Sequence, residues 1–240
     1  MTLVAVSSVA GSPGATRFVL GLAAAWPDPA RERVVVEADA DGGRLGAELG
    51  VGVEPGLMAL ALAARGGGLT AADLVARGAA AVGDWSVVPA PPSAEQTTSA
   101  LVHAASTLTG IVANDRDGRV WLVDAGRLSG RSPALPFARL ADHTVVVTAG
   151  AFPSLQLVPH RVEALRDAGC HVSVVVVEPT PWSPTEVADF VGADVLAVLP
   201  SVSSRPASLA AMRTSVWRPW WRRVEDAAAW LAAEVPVVNQ

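Results

Sequence analysis

This sequence of 240 residues predicts a doubly wound α/β fold: a single domain over residues 1–240 with a mostly parallel sheet. Two observations carry the prediction. Short valine-rich runs without polar alternation recur along the chain, as strands buried on both faces do. Segments of helical spacing separate them, and regular alternation of strand and helix builds a parallel sheet covered on both sides, here of about seven strands. Composition agrees, since 51% hydrophobic and 17% charged residues suit such a layered interior.

The first strand, "LVAVSSV" at 3–9, runs into a turn carrying Gly11 and Gly14, and a helix is expected over 15–25. "RVVVEA" at 33–38 is the second strand, because three consecutive valines in so short a run favour β structure. Helical spacing follows over 44–50, 56–65 and 70–81. Thr70 is the N-cap of the last of these, which makes "ARGGGLTAADL" a loop within one domain. "WSVVPA" at 85–90 ends in the turn "APPSAEQ", where Ser93 caps a helix over 94–110. "RVWLVDA" (119–125), "HTVVVTA" (143–149), "HVSVVVVE" (171–178) and "DVLAVLP" (194–200) complete the strands. Helical patterns at 154–168, with Ser154 as its cap, and at 184–191 lie between them, and a last helix covers 219–234.

Net charge is −5, so no general positive field draws the chain to nucleic acid. All 18 basic residues are arginine; lysine is missing altogether. One cysteine, Cys170, rules out an internal disulfide and reads as a small buried hydrophobe between helix and strand. His103, His143, His160 and His171 stand at no metal-ligand spacing and read as surface or core residues. No basic leader precedes the first strand, and no apolar run reaches the ~20 residues of a membrane span. A cytoplasmic chain is expected, at most peripheral at a membrane or pole.

In open α/β sheets the ligand crevice lies at the carboxyl ends of the strands. After the first strand, glycines turn the loop's N–H groups inward and the following helix aims its positive end at the same point. Gly11, Ser12, Gly14, Ala15 and Thr16 thus form a candidate phosphate cradle. The ordinary Walker spacing asks for glycine at 9 and lysine at 15, where this chain has Val9 and Ala15. Glu37, Asp39 and Asp41 stand at the end of the second strand, and Asp124 at the tip of the fourth. Carboxylates there hold Mg²⁺ directly or through water, with a loop hydroxyl as partner, so Thr16, Asp39 and Asp124 are the candidate metal ligands. Thr16 serves equally well as a packing residue of the helix, while Glu37 and Asp41 read as strand-end charges in water.

Together these stretches resemble the MinD/ParA superfamily of deviant-Walker P-loop ATPases over nearly the whole chain. The family loop KGGxGK[ST] is matched in frame by Ala10-Gly11-Ser12-Pro13-Gly14-Ala15-Thr16. Its D-x-D strand end is matched by Glu37-Ala38-Asp39, and its Walker B aspartate by Asp124. "ADHTVVVTAGAFPSLQ", with Asp142 and Ser154, and "VLAVLPSVSSRPASLA" are similar to two later family segments. The resemblance implies that Asp39 is the switch I carboxylate, whose catalytic role here is vestigial. It also implies what is missing. Ala10 replaces the lysine that reaches across an ATP-bridged dimer, Ala15 replaces the lysine on the β- and γ-phosphates, and Pro13 removes a cradle N–H. Glu178 stands where the family has an adenine-contacting asparagine. Losing one such electrostatic donor costs about 10²–10³ in rate. Arg17 does not compensate, because successive helix residues point about 100° apart.

The C-terminal stretch "SVWRPWWRRVEDAAAWLAAEV" predicts a helix over about 216–235 with one apolar face. Trp217, Arg218, Trp220, Trp221 and Arg222 make it a candidate partner-binding or anionic-membrane surface, as in MinD's own terminal helix. Docking of the helix on the sheet, with the arginines at its rim, is the reading that the acidic "EDAAAWLAAE" half favours over membrane attachment. Taken together, the expectation is a catalytically impaired, CpaE/TadZ-like scaffold or positioning factor with protein partners and a possible homodimer. No firmly held cofactor is expected; weak Mg-ATP or Mg-ADP binding is the most these residues support. Two alternatives stand beside it: an active ATP switch with a cation supplied in trans, and a DNA-associating partition protein using Arg213, Arg218, Arg222 and Arg223.

Overall fold

The computed structural model describes residues 1–10, 14–202 and 214–234. Gly11, Ser12, Pro13 and Arg213 lie outside the described residues. In chain order the strands are β1 (Thr2–Ser8), β2 (Arg33–Glu37), β3 (Ala80–Val82), β4 (Trp85–Val88), β5 (Val120–Arg127), β6 (His143–Ala149), β7 (Val172–Val177) and β8 (Val195–Leu199). They form one sheet in the order β3-β4-β2-β5-β1-β6-β7-β8. All its pairings are parallel except β3 with β4. Central β1 lies between β5 and β6, and the chain departs from it to both sides, so the crevice opens at its carboxyl end.

Helices cover both faces, as the unbroken valine runs demand. On one face lie α3 (Leu57–Ala64), α4 (Ala71–Gly78), α5 (Ala94–Ala113), α6 (Leu135–Leu140), α7 (Phe152–Leu155), α8 (Val158–Asp167) and α9 (Pro184–Val191). On the other lie α1 (Ala15–Ala25) and α10 (Arg218–Glu234), with Leu45 of the short α2 (Leu45–Leu49). Thr70 and Ser93 cap α4 and α5 by accepting from the N–H groups of Asp73 and Gln96. Cys170 is a buried free thiol.

Three elements differ from the sequence expectation. The helical pattern at 70–81 ends at Gly78, where the missing Cβ leaves room for the Leu60 side chain, and residues 80–82 turn into an edge strand. Gly83 (φ +63) and Asp84 then make a two-residue hairpin into Trp85. The pattern at 154–168 is two helices, and Ser154 lies inside the first of them, so Ala151 and not Ser154 occupies the N-cap. Helix α6 fills a stretch that had no predicted element.

Trp217, Trp220 and Trp221 are buried, which corrects their reading as a membrane or partner surface. They share a helical stripe with Val224, Ala228 and Leu231, and that stripe packs on α1. Gly21 makes the approach possible, since a Cβ there would stand 2.8 Å from Trp220 Cη2. The Trp221 indole N–H donates to Glu225 Oε1 at 2.6 Å. Arg218 and Arg222 remain exposed on the outer side. Among the described residues no helix is long and apolar enough to cross a membrane.

Candidate functional site

The carboxyl ends of β1, β2 and β5 bring Thr16, Glu37, Asp39 and Asp124 together. Asp124 sits in the heart of the sheet, paired in register with Val6 on one side and Glu37 on the other, and is 1% exposed. The hydroxyl of Thr16, the second residue of α1, stands close enough to favour its charged form, and Asp124 accepts from the Gly126 N–H at 3.3 Å. Burial pushes its pKa up to about 7; the Thr16 hydroxyl works against that, and the nearby negative charge of Asp39 adds to it.

Asp39 follows β2 and accepts from the Asp41 N–H at 3.0 Å. Partial burial raises its pKa, while Arg44 and Arg127 favour its charged form. Its carboxylate lies directly over Gly126. A Cβ at that position, which has φ +55, would fall 2.0 Å from Asp39 Oδ1. Glycine after the Walker B-like aspartate is thus what lets the end of β2 close onto the end of β5.

Glu37 is not a solvated strand-end charge. It is buried, and its carboxylate accepts three backbone N–H bonds: Oε1 from Arg44 (2.6 Å) and Leu45 (2.9 Å), Oε2 from Ala90 (2.8 Å). Burial raises its pKa against the pull of those three donors. The side chain clamps the loop after β2, which carries Asp39, to the loop after β4. The approach is tight enough that a Cβ on Gly43 would meet Ala90 O at 2.2 Å. A signal for this existed in the sequence: a glutamate between a valine run and the pair Gly42-Gly43, of which Gly42 turns the backbone (φ +106) and Gly43 lets it approach Ala90. Asp41 is exposed, as expected, and faces Arg127 at 3.8 Å.

Of the cradle, Gly14 and Ala15 are described. Gly14 takes the left-handed conformation (φ +99) as N-cap of α1 and, having no side chain, caps none of the helix's first N–H groups itself. Ala15 is buried. Arg17 stacks over the Trp217 ring with its Cζ 5.1 Å from the centroid. Glu178 is exposed after β7. Among the described residues no three His, Cys, Asp or Glu side chains are close enough to hold a metal alone. A hydroxyl and a buried carboxylate in contact, with a second carboxylate close by, suit a cation that keeps several waters and borrows ligands from a bound phosphate.

A mostly parallel eight-stranded sheet with helices on both faces is the fold of the MinD/ParA group of P-loop ATPases. The particular likenesses are close in shape and remote in sequence. A ParA family ATPase from Chlorobium tepidum TLS matches with a TM-score of 0.79 at 16% identity, over 95% of this chain and 98% of that one. MinD in the MinC:MinD cell division complex of Aquifex aeolicus matches at 0.66 and 12%, over 100% and 99%. Cobyrinic acid a,c-diamide synthase from Mycobacterium smegmatis, with bound ATP analog and magnesium, matches at 0.69 and 17%, over the whole of both chains. A scan against protein-family models and a search of curated proteins each find no match.

Proposed function

We propose that the chain is a degenerate MinD/ParA-type protein, of the CpaE/TadZ-like kind, that positions a cellular machine through protein contacts while its ATP hydrolysis is impaired. A secretion or pilus, septum or partition apparatus is the kind of machine meant. The observation that carries this reading is the buried methyl group of Ala15 where a phosphate-binding lysine is needed, in a chain with no lysine anywhere. Arg17, the nearest basic residue in sequence, follows Thr16 on α1 and stacks over the Trp217 ring.

A magnesium nucleotide fits the residues only in half. Thr16 and Asp124 would hold Mg²⁺, with Asp39 reaching it through water, and the ion would neutralise phosphate charge. The triphosphate's own cationic partners are alanines at 10 and 15, so no hydrolytic step is derived through it. A protein partner is in keeping with the MinC:MinD complex among the structural likenesses.

Calorimetric titration with Mg-ATP and Mg-ADP, run with Ala15→Lys in parallel, tests the reading. Weak or no binding by the natural chain, a gain of about tenfold or more in Ala15→Lys, and no turnover are the expected results. Mg-dependent ATP turnover by the natural chain, abolished in Asp124→Ala, would overturn it. The retained Asp124–Thr16 contact favours one second reading, an ATP switch completed by a cation from another subunit. A change in sedimentation on adding Mg-ATP distinguishes that case.

A further inference from the structure

Helix α3 reads "LMALALAA", eight residues without one polar side chain. A helix apolar all round belongs in an interior, because its outer face otherwise leaves hydrocarbon in water. Only half of α3 is inside. Leu57, Leu60 and Ala61 are buried against α5, whereas Leu62 is 69% and Met58 39% exposed. The outer side of α3 borders a groove of about 770 Å³, bounded by Glu54 and Pro55 before the helix, Arg65 after it, and Ser99 and His103 on α5.

The charges at the two ends of this groove are of opposite sign. Glu54 and Arg65 are both exposed, and neither forms a salt bridge among the described residues. A two-fold axis across α3 reverses the helix direction in the second copy. It therefore brings Glu54 against the second copy's Arg65, Arg65 against the second copy's Glu54, and Met58 against the second copy's Leu62. Half-buried Ala59 lies near the axis, where a small residue allows close approach. Self-complementarity of this kind is what an isologous interface requires.

We propose that the α3–α5 groove is the homodimer interface of this protein, occupied by α3 of a second copy. The helices of this face lie on the opposite side of the sheet from α1, and none of the groove's lining residues belongs to the phosphate cradle, so the dimer forms without nucleotide. It is therefore distinct from an ATP-bridged pairing and stands or falls apart from the functional reading above.

Sedimentation velocity of the purified full chain, without nucleotide and up to about 100 μM, tests the interface. A dimer is expected for the natural chain, and a monomer of unchanged circular dichroism and melting temperature for Leu62→Glu. Glu54→Arg and Arg65→Glu, each of which sets like charges face to face twice by symmetry, should each weaken the dimer by about tenfold or more. The double variant Glu54→Arg/Arg65→Glu should restore it. A natural chain that stays monomeric at the highest concentration overturns the proposal and leaves the groove to a different protein. A dimer indifferent to Leu62→Glu, or single swaps that the double swap fails to rescue, overturns it as well.

Discussion

Replacing Glu37 by alanine removes one buried side chain and strands three backbone donors at once. Arg44, Leu45 and Ala90 give their N–H groups to its carboxylate at 2.6, 2.9 and 2.8 Å. An unsatisfied buried donor costs about 1–3 kcal/mol. Relief from burying a charged carboxylate offsets part of the sum, since burial is the largest influence on this group and raises its pKa. A net loss of about 3–6 kcal/mol is expected, a large share of the roughly 5–15 kcal/mol that a domain has. In a chain of this size that is a fall of about 10 °C or more in melting temperature. Glu37→Gln retains an acceptor oxygen but turns an amide NH₂ toward one donor set, so about half the loss is expected. Urea unfolding of the three proteins, followed by circular dichroism, gives the free energies. A loss below about 1 kcal/mol for Glu37→Ala would mean that water satisfies those three amides. The strand end would then be solvated, and the clamp between the loops after β2 and β4 would not exist.

Two further outcomes follow from the C-terminal helix and the opposite edge of the sheet. Trp220→Ala should cost about 3–5 kcal/mol by urea unfolding and leave co-sedimentation with anionic vesicles unchanged, because the indole fills the space over Gly21 and does not face a membrane. Loss of vesicle binding with stability intact would refute the docked position. His143 is buried at the start of β6, with His171 4.4 Å and Trp230 of α10 5.1 Å away, ring centre to ring centre. Burial first, then His171, hold its pKa below the ordinary 6.5, while Asp142 and Glu234 act in the opposite direction. The unfolded chain therefore takes up this proton before the folded one, and stability drops as pH falls below about 6.5. His143→Phe should flatten the acid side of a melting-temperature profile between pH 7 and 5; parallel profiles would contradict the assignment.

The layered sheet was legible in the chain because burial on both faces leaves its mark on every strand. "RVVVE" and "VSVVVV" can lie only where water reaches neither side. Helix starts were legible where a cap is local chemistry: Thr70 and Ser93 each accept from the N–H group three residues on. The gathering of Thr16, Asp39 and Asp124 was legible as well, because each ends or follows a strand at the same edge of one sheet.

What the chain alone left undecided depends on partners outside each segment. Residues 80–82 read as the continuation of a helix until Trp85–Val87 pair with them as a strand. Glu37 reads as a wet acid until Ala90, 53 residues on, brings its N–H to the same carboxylate. The tryptophans after residue 216 are equally suited to a lipid surface and to an interior, and Gly21 on α1 decides for the interior by leaving room for an indole. Sequence periodicity states that a face is apolar; only the packed structure states what lies against it, because burial belongs to pairs of surfaces and never to one segment.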